Sequence, residues 1–230
     1  AECCRMSAGG VPRNCANTPL KQRASMGDTV VIVDYEAGNL TSVRFAVEKL
    51  GWTGQITSDP DQILSAERVI FPGVGIATHV VDSLEHSGLG EAICEYAQTG
   101  RPLLGICIGA QVILDHSEEG DVRCLGILEG RVRRLEVPLQ AKIPHMGWNV
   151  VHPARQHPLW DGIENGSQFY FVHSYAPSPA NEHVTIGETD YYGMFTSAMA
   201  RDNVAATQFH PERSGRVGLQ LLENFLGWTP

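Results

Sequence analysis

The apolar positions divide the chain into an alternating first half and a more broken second half. In residues 29–106, short apolar, β-branched runs alternate with longer segments in which apolar residues recur every three or four positions. The first pattern predicts buried strands, and the second predicts helices with one apolar face. Such alternation favours a parallel sheet with helices packed on it.

Individual elements of this half can be placed on the sequence. The predicted strands are residues 29–34, 68–71 and 102–106, and the predicted helices are residues 40–51 and 88–98. The apolar face of the first helix is formed by Leu40, Val43, Phe45, Val47 and Leu50.

Beyond Cys124 the runs become shorter and are separated by Gly, Pro and Asn, which is typical of antiparallel strands and turns. These runs are residues 131–135, 169–175, 184–188 and 194–199. A further apolar strand, residues 204–209, and a final helix, residues 215–225, should return to the sheet. The predicted fold is therefore α/β, a mostly parallel open sheet flanked by helices with an additional antiparallel strand region.

Residues 1–28 lack this periodicity and mix Gly, Pro, Asn and Ser. We expect them to be a disordered N-terminal extension, too poor in consecutive apolar residues for a secretory signal peptide. Residues 29–230 then form the folded domain.

Composition narrows the classes of partner. A net charge of −9 disfavours a phosphate-backbone ligand, so no nucleic acid is expected. No stretch approaches the ~18–20 uninterrupted apolar residues of a membrane span, so no membrane partner is expected either. The cysteines lack paired metal-ligand spacing and suit a reducing cytoplasm. They are Cys3, Cys4, Cys15, Cys94, Cys107 and Cys124.

The run of residues 102–111 ends an apolar strand on the turn Gly-Ile-Cys-Ile-Gly, and a helix-like segment at residues 111–116 follows. This is the pattern of a nucleophile elbow, in which a strained corner residue needs small neighbours on both sides, here Gly105 and Gly109. Free N–H groups at the start of a helix favour a thiolate at Cys107, which indicates a nucleophile.

A second motif, His210-Pro211-Glu212, follows the predicted strand at residues 204–209. In an extended chain, residues two apart point the same way, so the Glu212 carboxylate can orient one imidazole nitrogen of His210. The other nitrogen is left for Cys107, which gives a nucleophile, a base and an orienting acid. Each motif also has an interpretation without catalysis, since Cys107 could be a small buried core residue and His-Pro-Glu an ordinary helix start.

With these motifs in place, the chain resembles the triad-type (class I) glutamine amidotransferases, whose glutaminase domains carry Gly-x-Cys-x-Gly and a late His-Pro-Glu. Residues 71–75, 144–149 and 169–175 are similar to the glutaminase subunits of imidazole glycerol phosphate synthases. Ile108 and Ala110 stand where that family more often has Leu and Met, which changes apolar residues for apolar ones.

The resemblance implies roles for residues around the triad. Backbone N–H groups of Val74, Gly75 and Ile108 are expected to form the oxyanion hole. Glutamine is expected to bind through Gly73, Gly75, Gln111, His173, Ser174 and Tyr175, largely through the backbone of the last three. Read alone, His173 could be a second base, but a histidine in an aromatic strand is more often a packed residue.

The resemblance also implies that Cys107 cleaves glutamine through a thioester, without metal or organic cofactor. The ammonia would pass to a (β/α)₈ cyclase subunit that makes imidazole glycerol phosphate and an aminoimidazole carboxamide ribotide in histidine biosynthesis. The predicted docking residues lie in a loop at residues 144–149 and on the following aromatic run. They are Pro144, His145, Met146, Trp148, Asn149 and Tyr170.

Three other functions stay open at this point. The chain could serve a different synthase, for example one that aminates a sugar. It could be a stand-alone cysteine hydrolase of similar fold. It could also be a non-catalytic binding subunit, which a complete triad makes less favoured.

Overall fold

A computed structural model describes residues 28–36 and 38–230. The predicted extension, residues 1–28, therefore lies outside the described residues except for Asp28. The Asp28 carbonyl accepts a hydrogen bond from the Thr53 amide at 2.9 Å, so Asp28 already belongs to the fold.

The elements of the described residues follow the alternation that the sequence predicts in the first half. The helices are α1 (Leu40–Lys49), α2 (Pro60–Ser65), α3 (Ala77–Ser87), α4 (Leu89–Ala97), α5 (Ile108–Val112) and α6 (Gly215–Gly227). The strands are β1 (Thr29–Val33), β2 (Thr53–Thr57), β3 (Val69–Phe71), β4 (Leu103–Ile106), β5 (His116–Ser117), β6 (Val122–Arg123), β7 (Gly130–Arg134), β8 (His145–Val150), β9 (His152–Pro153), β10 (Gln168–His173), β11 (Tyr175–Pro179), β12 (Thr185–Asp190), β13 (Met194–Arg201) and β14 (Val204–Thr207). Short 3₁₀ turns are formed by Pro158–Trp160, Glu182–Val184 and Pro211–Arg213.

The main sheet has the strand order β2-β1-β3-β4-β14-β13-β12-β9. Its first five strands run parallel, and β13, β12 and β9 extend it in antiparallel fashion. Two smaller sheets, β10-β8 and β11-β7-β5-β6, complete the fold. The predicted class, a mostly parallel open sheet with an added antiparallel region, is confirmed.

Helices cover both faces of the sheet, and each face has its own core. On one face, Ile63 of α2, Leu84 of α3 and Ile93 of α4 are buried. On the other face, Val43 of α1 and Phe225 of α6 are buried. Because both faces are covered, the central strands are apolar throughout, and chemistry is confined to the ends of the strands.

Phe45 does not belong to the apolar face of α1, where the sequence analysis placed it. Its side chain is 58% exposed and lies against Arg44, with the guanidinium carbon 5.5 Å from the ring centroid. Leu40, Val43 and Val47 are spaced by three and four residues and point inward, and a residue two positions after Val43 points away from that stripe.

Two other predicted elements were wrong in their bounds. The helix after the elbow spans Ile108–Val112 rather than residues 111–116, because the chain from His116 pairs with β7 as strand β5. The aromatic run at residues 169–175 is two strands, because β10 pairs with β8 whereas β11 pairs with β7. A continuous apolar run does not reveal such a change of partner.

Candidate active site

The corner between β4 and α5 has the geometry of a nucleophile elbow. Cys107 has φ 56° and ψ −107°, a conformation that non-glycine residues rarely adopt. A Cβ atom on Gly105 would lie 2.9 Å from the Gly109 carbonyl oxygen, and one on Gly109 would overlap the Phe71 carbonyl oxygen. Both flanking positions therefore need glycine, for the steric reason that the sequence suggests.

The helix that follows Cys107 is short, with five residues. The amides of Ala110 and Gln111 donate to the Cys107 carbonyl at 3.0 and 3.2 Å and so anchor the corner. Amides in the first turn of a helix otherwise lack intrahelical partners and favour nearby negative charge. In a helix of five residues, the nearest N–H groups alone would favour a negative charge at this position.

His210 and Glu212 form the predicted pair beside this corner. The His210 Nδ1 atom lies 2.8 Å from Glu212 Oε1, and the two side chains are 2% and 0% exposed. The same carboxylate oxygen accepts a hydrogen bond from Asn39 Nδ2 at 2.7 Å. The β1–α1 connection therefore helps to hold the carboxylate, a contribution that the sequence analysis missed.

The electrostatics of His210 link it to Cys107. Burial alone lowers the pKa of His210, but negative charge on Cys107 and Glu212 outweighs burial, so the pKa is raised above its ordinary value. Its Nε2 atom is buried, and a hydrogen bond with Cys107 also raises the pKa of His210. An imidazole beside a cysteine sulfur, with a carboxylate behind it, has the arrangement of a nucleophile–base pair for acyl transfer.

The predicted oxyanion turn lies next to the elbow. Phe71 at the end of β3 is paired with Gly105 of β4. Gly73 is buried, and a Cβ atom there would lie 2.6 Å from Ile108 Cγ2 and overlap the Tyr35 hydroxyl. After it the chain reaches the surface, and Gly75 has φ +134°. The expected oxyanion role of Val74, Gly75 and Ile108 stays a prediction.

Four of the predicted glutamine-binding residues, Gln111 and residues 173–175, come together around the Tyr175 carbonyl. Gln111 is 4% exposed, and its Nε2 atom donates to the Tyr175 carbonyl at 2.8 Å. His173 Nδ1 donates to the same carbonyl at 2.8 Å. Ser174 joins β10 to β11 and is partly exposed.

His173 is a packed residue rather than a second base. Burial lowers the pKa of His173 to about 3, so the ring is neutral near neutral pH. Its second nitrogen, Nε2, lies 2.9 Å from His145 Nδ1. Both ring nitrogens are thus occupied, as the structural interpretation of the aromatic strand expects.

The predicted docking segment is strand β8, not a loop. It pairs with β10 so that Trp148 stands opposite Tyr170, with ring centroids 6.2 Å apart. We call the β8–β10 pair the docking ribbon. Trp148 and Met146 are 53% and 63% exposed, as an anchor requires, and Pro144 just before β8 is exposed too.

His145 is a correction to the predicted docking set. It is 3% exposed and stacks between Phe171 and Tyr191, with ring centroids 4.8 and 4.0 Å away. Its side chain therefore supports the ribbon from within and is not available for direct contact with another chain. Asn149 is partly exposed and donates to the Asp190 carbonyl at 2.9 Å.

The docking ribbon is joined to the base of the candidate triad. The His210 amide donates to the Tyr170 carbonyl at 2.9 Å, and the Tyr170 amide donates to Ser214 Oγ. The Arg213 guanidinium carbon lies 4.1 Å from the centroid of the Tyr170 ring. Movement of Tyr170 on binding of another protein would therefore be passed to the segment that carries His210.

Three site residues escaped the sequence analysis: Asn39, Tyr35 and Gln208. Gln208 could have been found from the sequence, because it stands two positions before His210 and so points to the same side of an extended chain. Tyr35 and Asn39 reach the site from the end of β1, and their contacts depend on tertiary packing.

Within residues 28–36 and 38–230, no cluster of three or more His, Cys, Asp and Glu side chains has metal-binding geometry. The helices in the same part of the chain are too short or too polar to cross a membrane.

Comparison with known proteins identifies the family. Residues 31–227 match the family described as glutamine amidotransferase class-I, and the chain belongs to this family. Similar relatives carry the name imidazole glycerol phosphate synthase subunit HisH. The one from Nitrosomonas europaea is 47% identical over 213 residues, covering 88% of this chain and 100% of the relative. The one from Dehalococcoides mccartyi strain CBDB1 is 50% identical over 197 residues, covering 85% of this chain and 95% of the relative.

Solved structures of lower identity share the fold. A putative GMP synthase protein from Thermoplasma acidophilum has a TM-score of 0.66 at 20% identity, covering 87% of this chain and 92% of that chain. PurLQS from Thermotoga maritima has a TM-score of 0.67 at 17% identity, covering 87% and 98%. These structures show the fold, and the family match and the named relatives show that the chain is an enzyme of the glutamine amidotransferase class, as the motifs predict.

Proposed function

We propose that this chain hydrolyses glutamine at Cys107 and delivers the ammonia to a (β/α)₈ cyclase subunit of imidazole glycerol phosphate synthase bound on the docking ribbon. The proposal is carried by one observation. Two distant segments, the β4–α5 corner and the stretch after β14, bring the strained Cys107, the buried His210 and the fully buried Glu212 carboxylate to the carboxyl edge of the sheet.

In the first half of the reaction, the Cys107 thiolate attacks the side-chain carbonyl carbon of glutamine. The carbonyl oxygen becomes an oxyanion, for which the N–H groups of Ile108 and of the turn at Val74 and Gly75 are the proposed donors. Protonated His210 gives its proton to the amide nitrogen, the C–N bond breaks, and ammonia leaves. A thioester of glutamate remains on the sulfur.

In the second half, neutral His210 takes a proton from a water molecule, and the resulting hydroxide attacks the thioester carbon. The C–S bond then breaks, glutamate leaves, and the Cys107 thiolate is restored. Glu212 keeps the His210 ring in one orientation through both halves, because the carboxylate is itself held by Asn39.

Delivery to a partner follows from the chemistry of the product. Ammonia released into water is protonated and loses its nucleophilicity, so a synthase benefits from receiving it directly. The exposed Trp148 and Met146 give the ribbon the apolar anchors that such an interface needs. The relatives named as synthase subunits support this choice of partner.

The experiment that tests the partner is glutamate release by the chain alone, with cyclase, and with cyclase plus its nucleotide substrate. Val74 is 41% exposed, so a docked chain can cover the oxyanion turn. We expect slow release alone and a rise of about 10²–10³ in the complete mixture, the size of effect of one oxyanion donor. Full activity of the isolated chain, unchanged by cyclase, would instead identify a stand-alone hydrolase.

A further inference from the structure

Gln208 is the side chain that touches the Cys107 sulfur and has no place in the triad. It follows β14, is 0% exposed, and its Nε2 atom lies 3.7 Å from Cys107 Sγ. Its Oε1 atom accepts a hydrogen bond from Gln111 Nε2 at 2.9 Å. Its own backbone amide donates to the Ser197 carbonyl at 2.9 Å, which fixes the base of the side chain.

The direction of the Gln208 amide is determined by its neighbours. The Tyr175 carbonyl can only accept, so the Gln111 atom 2.8 Å from it must be the amide nitrogen. That nitrogen also faces Gln208 and must donate to an oxygen there. The Gln208 nitrogen is therefore left on the side of the sulfur, and its N–H points at Cys107.

We infer that Gln208 is a further catalytic residue, which donates a hydrogen bond to the Cys107 sulfur, and that Gln111 is the residue that positions it. A hydrogen bond to an ionised acceptor is stronger than one to a neutral acceptor, so this contact favours the thiolate over the thiol. The inference deepens the proposed function and rests on it.

The role differs from that of His210. His210 changes protonation during the reaction, as it gives its proton to the leaving nitrogen and later takes one from water. Gln208 is uncharged and keeps its donor at every stage. It therefore stabilises the sulfur as an attacking thiolate in the first half and as a leaving thiolate when the C–S bond of the thioester breaks.

A residue that only fills space would behave differently on substitution. Gln208→Met keeps the length and flexibility of the side chain but removes the donor. A packing role predicts that this change leaves the ionisation of the sulfur unaltered.

The experiment measures iodoacetamide alkylation of Cys107 against pH, read by mass spectrometry of the peptide that contains it. This readout is needed because other cysteines are present, although burial raises the pKa of Cys94 and raises that of Cys124 to about 11. The titratable groups that act on Cys107, His210 and Tyr35, are unchanged in the variants. Gln220→Met in α6 is the matched control.

For Gln208→Met we expect the pH midpoint of alkylation to rise by about one unit or more. At pH 7, kcat/KM for glutamine should fall about tenfold or more, mainly through kcat. Gln111→Met should shift the midpoint in the same direction by less, and Gln220→Met should change neither quantity.

A second measurement needs no substitution. In the intact protein, the side-chain amide resonances of Gln208 should move with pH over the range in which Cys107 becomes reactive, and should stop moving once Cys107 is alkylated. A wild-type midpoint in Gln208→Met, or amide resonances that do not change with the ionisation of Cys107, would overturn the inference. Absence of glutamate release by the wild type with cyclase would instead overturn the proposed function.

Discussion

Glu212 accepts two hydrogen bonds at one oxygen, and this detail determines what we expect each member of the proposed triad to contribute. Oε1 receives Asn39 Nδ2 at 2.7 Å and lies 2.8 Å from His210 Nδ1. Because Asn39 can only donate through its nitrogen, it selects an oxygen at that position. An amide in place of the carboxylate would be turned the same way, with its oxygen toward His210.

We therefore predict different losses for the base and its orienting acid. His210→Ala removes the proton donor and should lower glutamine turnover by about 10²–10⁴-fold. Glu212→Gln should lose less, because the amide oxygen still accepts from His210 while the charge is gone. Steady-state glutamate release checks this, with the exposed Glu85→Gln as control. Equal and complete loss in both variants would assign Glu212 a structural role.

At this scale, the sequence predicts residues that form motifs and misses residues that act singly. Cys107, His210 and Glu212 stand in patterns whose spacing follows from strand and turn geometry. Tyr35 has no such pattern. Its hydroxyl is buried without a hydrogen-bond partner among the described residues and lies against Gly73, and burial raises its pKa above the ordinary value. Only tertiary packing brings it there.

At the scale of elements, the docking ribbon connects the surface to the triad. The Tyr170 side chain on β10 faces Trp148 on β8, and the Tyr170 carbonyl accepts a hydrogen bond from the His210 amide. If a partner binds β8 and β10 as proposed, this bond gives it a direct route to the position of His210.

Trp148→Ala should weaken binding of the cyclase about tenfold, since exposed aromatic anchors dominate such interfaces. Cyclase-stimulated glutamate release at limiting cyclase should fall, while alkylation of Cys107 in the isolated chain stays the same. Phe45→Ala is the matched control, because Phe45 is a similarly exposed aromatic residue on α1, away from the ribbon. Calorimetric titration with cyclase decides the question. An equal loss in the two variants would remove the ribbon from the interface.

The alternating half of the chain could be predicted well, and the second half less so, for a physical reason. Parallel strands buried on both faces leave clear apolar runs between amphipathic helices, as in β1, β3 and β4. In the second half, the partner of a strand decides its bounds. The run from Phe169 to Tyr175 is split at Ser174, because the residues before Ser174 pair with β8 and Tyr175 pairs with β7.

At the scale of the whole molecule, buried neutral histidines couple folding to pH. Burial lowers the pKa of His145 to about 4 and that of His173 to about 3, from an ordinary value of 6.5. The unfolded chain thus binds more protons than the folded chain between these limits, so stability is present above pH 6.5 and is lost as the pH falls toward 4.

We predict a decline of up to about 1.4 kcal/mol per pH unit for each of these histidines over that window. Urea unfolding at several pH values between 7 and 4 measures it. His145→Gln should make the decline shallower, whereas His183→Gln at an exposed position should leave it unchanged. A slope that His145→Gln does not reduce would show that other groups cause the acid sensitivity.

The central claim is that Cys107 attacks glutamine and carries the thioester. Its most direct test is glutamate release in the presence of cyclase, combined with labelling by an electrophilic glutamine analogue and mass spectrometry. We predict that the analogue modifies Cys107 alone, and that Cys107→Ser folds normally but loses labelling and turnover because a hydroxyl has far less anionic character. Cys94→Ser and Cys124→Ser should keep both. Substantial glutamate release by Cys107→Ser, or a label on another residue, would contradict the account.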